Sequence, residues 1–255
     1  MRHRLAARWR LAALLALTLC AGTAAQAVDV TMMFGQSLAP FANERDGRGI
    51  EIDIIRAALA AAGHRLKPRF LPQARLPVAW QAHEGDAAAT LTPDSGLAAA
   101  YSEVYIQYED VVIAQRGRFR PDLKVADLAG LRVVGFQNAA RYLGPDYAAM
   151  VRANKRYREQ ANQLSQLRML FGGQADVIVA ERHIFEYQLG QLAESRFPER
   201  AFAVDTFRLF DKIPYRVAFR DKALRDDFDK GVALIRKNGQ LASITARYIP
   251  YGINP

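Results

Sequence analysis

Cysteine is nearly missing from this sequence: 255 residues contain one, Cys20. A lone thiol forms no internal disulfide, and a chain of this length buries its cores without covalent staples. Histidine is also scarce, with four residues. The three beyond the N-terminus, His64, His83 and His183, stand far apart and in no H-E-x-x-H pattern. A helix carrying Glu181, His183 and Glu186 would be the nearest approach to a metal set, but residues two apart do not share a helical face; no metal and no cofactor are expected. Neither G-x-x-x-x-G-K-[ST] nor G-x-G-x-x-G occurs, so nucleotide binding has no motif behind it. "PDSGL" offers a serine without the leading glycine of a nucleophile elbow, and Ser95 reads as a turn hydroxyl. Blocks of five or six like charges are absent too. The formal charge of +9 therefore does not imply nucleic acid as a partner, and "RANKRYREQ" reads as a solvated face and strand edge.

What is present begins with a leader. Arg2, Arg4, Arg8 and Arg10 precede the apolar run "LAALLALTLCAGTAA", and "AQA" supplies small residues for cleavage after Ala27. This is the pattern of a secretory signal peptide, and it predicts a periplasmic protein. Lipidation at Cys20 is the rival reading, with Leu19 where a small residue is usual. The apolar core is shorter than the roughly 20 residues of a membrane helix. Removing the leader takes four arginines and no acids, leaving 31 basic against 26 acidic residues, a net +5.

The rest alternates short β-rich runs with helical periods. "VDVTMMF", "LKPRFLP", "DAAATL" and "EDVVIAQR" read as strands, with helices at "GIEIDIIRAALAAAG" and "ARLPVAWQAHEG". In the former, Ile52, Ile55, Leu59 and Ala62 share one face. A second series follows: strands at "LRVVGF", "ADVIVAE", "AFAVDTF" and "IPYRVAF", a broken helix at "NAARYLGPDYAAMVRAN", and helices at "QLSQLRMLFGG" and "RHIFEYQLGQL". The chain closes on "KALRDDFDKGVALIRKNG", with Leu224, Phe228, Val232 and Ile235 in a stripe, and "QLASITARYI". This alternation predicts an α/β fold with parallel sheets covered on both faces, in two lobes. The boundaries fall at 28–114 with 215–255 for a discontinuous lobe 1, and 115–214 for lobe 2. The β runs Glu109–Arg116 and Ile213–Phe219 are the expected crossings. Ligands of open α/β sheets lie beyond the carboxyl ends of the strands, so the lobes should share a cleft.

Small polar groups cluster at those strand ends. Thr90 and Thr92 close the third strand, ahead of Asp94 and Ser95. Gln137 and Asn138 stand where a strand meets a helix, a place that favours an anion or a carbonyl oxygen, or simply an N-cap. Glu181 ends "ADVIVAE" and could meet a cation or serve as a solvated carboxylate at the helix start.

Together these stretches resemble the periplasmic solute-binding proteins of bacterial family 3, the polar amino acid type served by ABC transporters. "APFANERDGRGIEIDIIRAAL" is similar to the family's Pro-Phe opening and first helix. "EGDAAATLTPDSGLAAAYSEVY" is similar to its Gly-Asp strand, Thr-x-Thr and Phe-Ser segment. "DLAGLRVVGFQNAARYL", "GGQADVIVAERHIFEYQL" and "RKNGQLASITARYI" follow in the family's order. The resemblance implies a two-lobed periplasmic binding protein-like (type II) fold with a hinge of two crossing β segments and a cleft between the lobes. It places ligand contacts at Phe41, Thr90, Thr92, Asn138, Ala139 and Glu181, with Gln137 beside them.

Two departures bear on the ligand. Ser95 stands where amino-acid binders carry an arginine that clamps the ligand carboxylate, and Asn138, Ala139 and Ala140 replace the usual glycines and hydroxyls. Losing one partner of a buried charged pair costs about 2–5 kcal/mol. Arg75 and Arg141 are the candidate substitutes, unless the ligand has no free carboxylate. The expected protein is a monomer that captures a small polar solute, amino-acid-like or related, and delivers it to an ABC permease in the inner membrane. One alternative is a cyclohexadienyl dehydratase-like enzyme with Glu181, backed by Asp94, as its acid or base. The other is a periplasmic sensor for a separate receptor, since the sequence runs to Pro255 without a signalling domain.

Overall fold

The computed structural model describes residues 27–36, 38–194 and 202–248. The expected leader up to Gln26, with Cys20, lies outside them. Among the described residues no helix is long and apolar enough to cross a membrane.

Two mixed sheets organise the chain. The first runs β2 (Arg65–Leu71), β1 (Asp29–Gly35), β3 (Ala87–Leu91), β11 (Ile213–Phe219) and β4 (Ala100–Tyr101), with β5 (Ile106–Tyr108) also on β11. The second runs β10 (Val204–Phe207), β6 (Asp110–Gln115), β9 (Val177–Glu181), β7 (Val133–Phe136) and β8 (Arg158–Gln160). The helices are α1 (Ile50–Ala61), α2 (Leu76–Gln81), α3 (Ala139–Tyr142), α4 (Gly144–Ala153), α5 (Gln163–Phe171), α6 (Arg182–Glu194), α7 (Lys222–Lys237) and α8 (Gln240–Tyr248).

The expected parallel pairing holds for β1 with β2 and β3, and for β7 with β8 and β9. It fails at β11 on β3 and at β6 on β9, which are antiparallel. The reason is topological: β6 and β11 each enter a sheet from the other sheet, without the crossover helix that would reverse the chain. The passages themselves are short. The chain leaves the first sheet at Tyr108 and starts the second at Asp110, then returns between Phe207 and Ile213. Arg208 and Glu109, one from each passage, form an ion pair at 3.0 Å.

Each sheet is fastened by the same device. Asp86, just before β3, accepts the Thr31 N–H of β1 at 2.8 Å and returns its own N–H to the Thr31 carbonyl at 2.8 Å. Asp176, just before β9, accepts the Arg132 N–H ahead of β7 at 2.8 Å and returns its N–H at 2.9 Å. These aspartates satisfy donors at the strand entries, ahead of the amino ends of β3 and β9.

Apolar periodicity sets the packing. Ile52, Ile55 and Leu59 of α1 are fully buried, as are β6 and β9 over nearly their whole lengths, which suits strands covered on both faces. Helix α7 lays Phe228, Val232 and Ile235 inward. It also brings Gly231 so close to α1 that an added Cβ would sit 2.0 Å from the Ala58 carbonyl oxygen. Asp221 caps α7, accepting the Leu224 N–H at 2.9 Å.

Candidate functional site

The carboxyl ends of β3, β7 and β9 converge on a cleft between the two sheets. An inner cavity of about 50 Å³ is lined from the first sheet's side by Gln73, Thr90, Tyr108 and Tyr215, and from the second's by Asp110, Gln137 and Glu181. It adjoins a chamber of about 330 Å³ lined by the amides Gln36, Gln73, Gln137, Asn162 and Gln163.

Thr90 reaches this cleft through unusual backbone. Its φ is +56°, a left-handed value that a β-branched residue rarely adopts, and the β3–β11 register shifts opposite it. Its hydroxyl is held: it donates to Glu51 at 2.7 Å. Glu51, in the first turn of α1 and fully buried, also accepts hydroxyls from Tyr105 and Tyr108. Burial raises the Glu51 carboxyl above its ordinary range, against the lowering effect of those three hydroxyls. Thr92 has a buried hydroxyl without a partner and lies outside the lining of both cavities.

Phe41 sits behind the cleft wall. It stacks on Tyr108 with ring centres 4.1 Å apart and meets the His183 ring edge-on at 6.0 Å. Leu38, rather than Phe41, faces both cavities. Arg75 is exposed and pairs with Glu84 at 3.5 Å. The Ser95 hydroxyl bonds the Tyr101 hydroxyl at 2.7 Å. Arg141 donates to the Asp94 carbonyl, linking α3 of one side to the 3-10 turn Pro93–Ser95 of the other. None of these three polar side chains lines either cavity.

At the strand-to-helix junction, Gln137 lines both cavities, whereas Ala139 is buried. Asn138 has φ +67°, makes no side-chain cap, and gives its N–H to the Glu159 carboxylate at 2.8 Å. The protein's own acid thus takes the donor that would face an anion.

Glu181 is 3% exposed. Its Oε2 accepts the Ile184 N–H at 2.9 Å, capping α6, and its Oε1 faces His183 Nδ1 at 3.0 Å. Helical spacing does not separate Glu181 from His183, because Glu181 belongs to β9 and folds over the helix start. Burial alone would lower His183, but the hydrogen bond and charge of Glu181 with Glu186 beyond overcome it, and the net shift is upward. Among the described residues no group of three or more potential ligands could hold a metal ion.

The largest omission from the sequence reading is Asp110. It opens β6, lies directly opposite Glu181 in the β6–β9 ladder, and is 3% exposed. Burial, with the Glu181 charge added, pushes its carboxyl well above the ordinary range. The signal was an acid immediately ahead of the apolar run "VVIA", where an exposed turn residue is the default. Gln73 and Gln163 were missed as well, and the Oε1 atoms of both are buried without partners.

The family model for bacterial extracellular solute-binding proteins, family 3, matches residues 30–251. A histidine kinase sensor domain with similarity to periplasmic binding proteins superposes with a TM-score of 0.73 at 18% identity, covering 87% of this chain and 96% of that one. The arginine-, lysine- and histidine-binding protein ArtJ of Geobacillus stearothermophilus gives 0.69 at 18% identity, covering 89% and 96%. A curated relative, the membrane-bound lytic murein transglycosylase F of Maricaulis maris (strain MCS10), is 28% identical over 161 residues. That match covers 59% of this chain and 33% of the relative, so the chain spans about a third of the protein it matches. The two-sheet α/β architecture is that of the periplasmic binding proteins, and the chain belongs to the bacterial extracellular solute-binding proteins of family 3.

Proposed function

We propose that this protein is exported to the periplasm and captures a small polar solute in the cleft between its sheets. It then presents the closed form to an ABC permease in the inner membrane. The observation that carries the reading is the inner cavity, whose polar groups come from both sides: Gln73 and Thr90 from one, Asp110 and Glu181 from the other. A ligand touching both sides stabilises the closed arrangement over the open one, and only contacts made on closure shift that population. The passages at Glu109 and at 208–212 are the natural hinges, so the expected boundaries at 114/115 and 214/215 move to them: the first-sheet residues up to Tyr108 and from Ile213 onward move as one lobe, and Asp110–Phe207 as the other. Cross-cleft contacts support closure: Arg141 on Asp94, and the rings of Tyr142 and Tyr215 with centres 6.3 Å apart.

The likeness to a sensor domain favours a second use of the same movement, in which a separate receptor reads the closed shape. Deleting the permease genes separates the two: uptake of the bound solute stops under the first reading and continues under the second.

The capture reading is tested by thermal melting of the purified protein against amino acids, polyamines, opines, sugars and organic acids. A ligand at a hundred times its Kd adds about 2.7 kcal/mol to stability. Small-angle scattering of the responding pair should then show a contraction. A panel with no response would overturn the reading, and turnover of prephenate or arogenate would replace it with the dehydratase alternative.

A further inference from the structure

The two charged residues in the cavity walls, Asp110 and Glu181, are both acids; the larger chamber adds only neutral amides and apolar groups. Directly opposed residues of an antiparallel pair carry Cβ atoms about 4.5–5.5 Å apart, within the span of one ammonium group. Glu181 is partly engaged by His183 and the Ile184 N–H. Asp110 is not: among the described residues nothing donates a hydrogen bond to its carboxylate, although it is buried and aimed into the cavity. The Gln163 side chain, 7% exposed, likewise turns an unpartnered Oε1 toward the same space. Unsatisfied buried acceptors are rare in folded proteins and mark a missing donor. Among the described residues no Arg or Lys side chain lines either cavity: Arg75 and Arg141 are committed elsewhere, and Glu159 takes the Asn138 N–H.

We propose that the solute is a small organic amine cation without a carboxylate, held by Asp110 and Glu181 with the ammonium between them. The Tyr108, Tyr142 and Tyr215 rings border the same cavity and provide faces that favour a cation. The remainder of the ligand extends into the amide-lined chamber, where Gln73 and Gln163 accept its hydrogens. This assignment rests on the solute-binding reading and narrows it to a chemical class.

The test uses pairs that differ by one carboxylate: agmatine against arginine, and putrescine against ornithine, by calorimetry and thermal melting of the full protein. The expected result is at least tenfold tighter binding of the amine in at least one pair, and a loss of thirtyfold or more in Asp110→Asn. Melting of Asp110→Asn without ligand checks that the variant is folded; Asp110→Glu, which retains the charge, should recover part of the affinity. Tighter binding of the amino acid in both pairs would overturn the amine assignment while leaving the solute-binding reading intact. Undiminished amine binding by Asp110→Asn would overturn the role of Asp110. Binding of none of the four compounds overturns this assignment, and the broader solute panel then decides the fate of the parent reading.

Discussion

Thr90 donates its hydroxyl to Glu51 at 2.7 Å, and this bond decides how the family's hydroxyl strand behaves here. The hydroxyl proton is committed to a buried acid from α1, so Thr90 is not free to donate it to a ligand. Glu51 in turn is held by hydroxyls alone, two from tyrosines and one from Thr90. Thr90→Val keeps the branched shape and removes one charge-assisted hydrogen bond, at a cost of about 1.5–3 kcal/mol. Glu51→Ala leaves three buried hydroxyls without an acceptor and should cost more, while Glu51→Gln retains shape and one acceptor oxygen and should be the mildest. Denaturant titration orders the three; equal losses for Glu51→Ala and Glu51→Gln would show that the hydroxyl cluster does not depend on its acceptor.

Asp110 should lower stability as pH rises. Its folded pKa lies above its unfolded one, so between the two the folded chain binds more protons, and stability falls across that window. Asp110→Asn removes this component. The variant should melt higher than the parent at pH 7, with the difference shrinking toward pH 4. A site built for binding commonly sacrifices stability in this way. An unchanged difference across that range would mean that Asp110 is not the titrating group.

Asp176 works in the opposite direction. Its hydrogen bonds from Arg132 hold its carboxyl below the ordinary range. Its contribution is therefore present above the unfolded pKa and lost as pH falls through the folded one. Asp176→Asn should lower stability by about 1.5–3 kcal/mol at pH 7 and by progressively less as pH falls below the ordinary carboxylate range. The measurement is urea unfolding across that pH series. Cleft affinity should stay unchanged, because Asp176 sits at the opposite end of β9 from Glu181.

The framework was legible where periodicity and burial coincide. The stripe Ile52, Ile55, Leu59 and the alternation of strands with helices led to the two-lobed family, because one apolar face must be buried whatever else the chain does. The Gly-Asp and Gly-x-x-Asp stretches pointed to the right strands, although not to the entry-end bonds that Asp86 and Asp176 make. The cleft was read less well. Thr90 and Glu181 do reach it, but Phe41 is layered behind Tyr108, and Arg75 lies on the surface with Glu84. Asp110 stayed hidden because its meaning depends on pairing across sequence with Glu181, which no local pattern reveals. The short strands β4 and β5 were missed for a similar reason: two or three residues carry no period, and their pairing is set by β11, whereas β8 falls in the stretch "RANKRYREQ" read as a strand edge and does lie at the edge of its sheet.

Gly231 tests the packing of α7 on α1. An alanine in mid-helix ordinarily gains about 1 kcal/mol over glycine. Here its Cβ would lie 2.0 Å from the Ala58 carbonyl oxygen, so the helices must separate. The expected sign is therefore reversed, with Gly231→Ala losing about 1–3 kcal/mol through overpacking. Thermal melting decides it; a stabilised variant would show that α7 can shift on α1 without loss.

Arg141 distinguishes a latch from a ligand clamp. Its guanidinium crosses from α3 to the Asp94 carbonyl, so it favours the closed arrangement without touching the cavity. It is exposed, which limits the net value of the bond to about 0.5–1.5 kcal/mol, or roughly two- to tenfold in apparent affinity. Arg141→Ala should weaken every ligand by the same factor, mainly through faster release, because an open state that is more populated lowers apparent affinity uniformly. Stopped-flow release rates for agmatine and arginine provide the comparison. If the substitution weakened arginine alone, Arg141 would be contacting the carboxylate, and the latch assignment would fail.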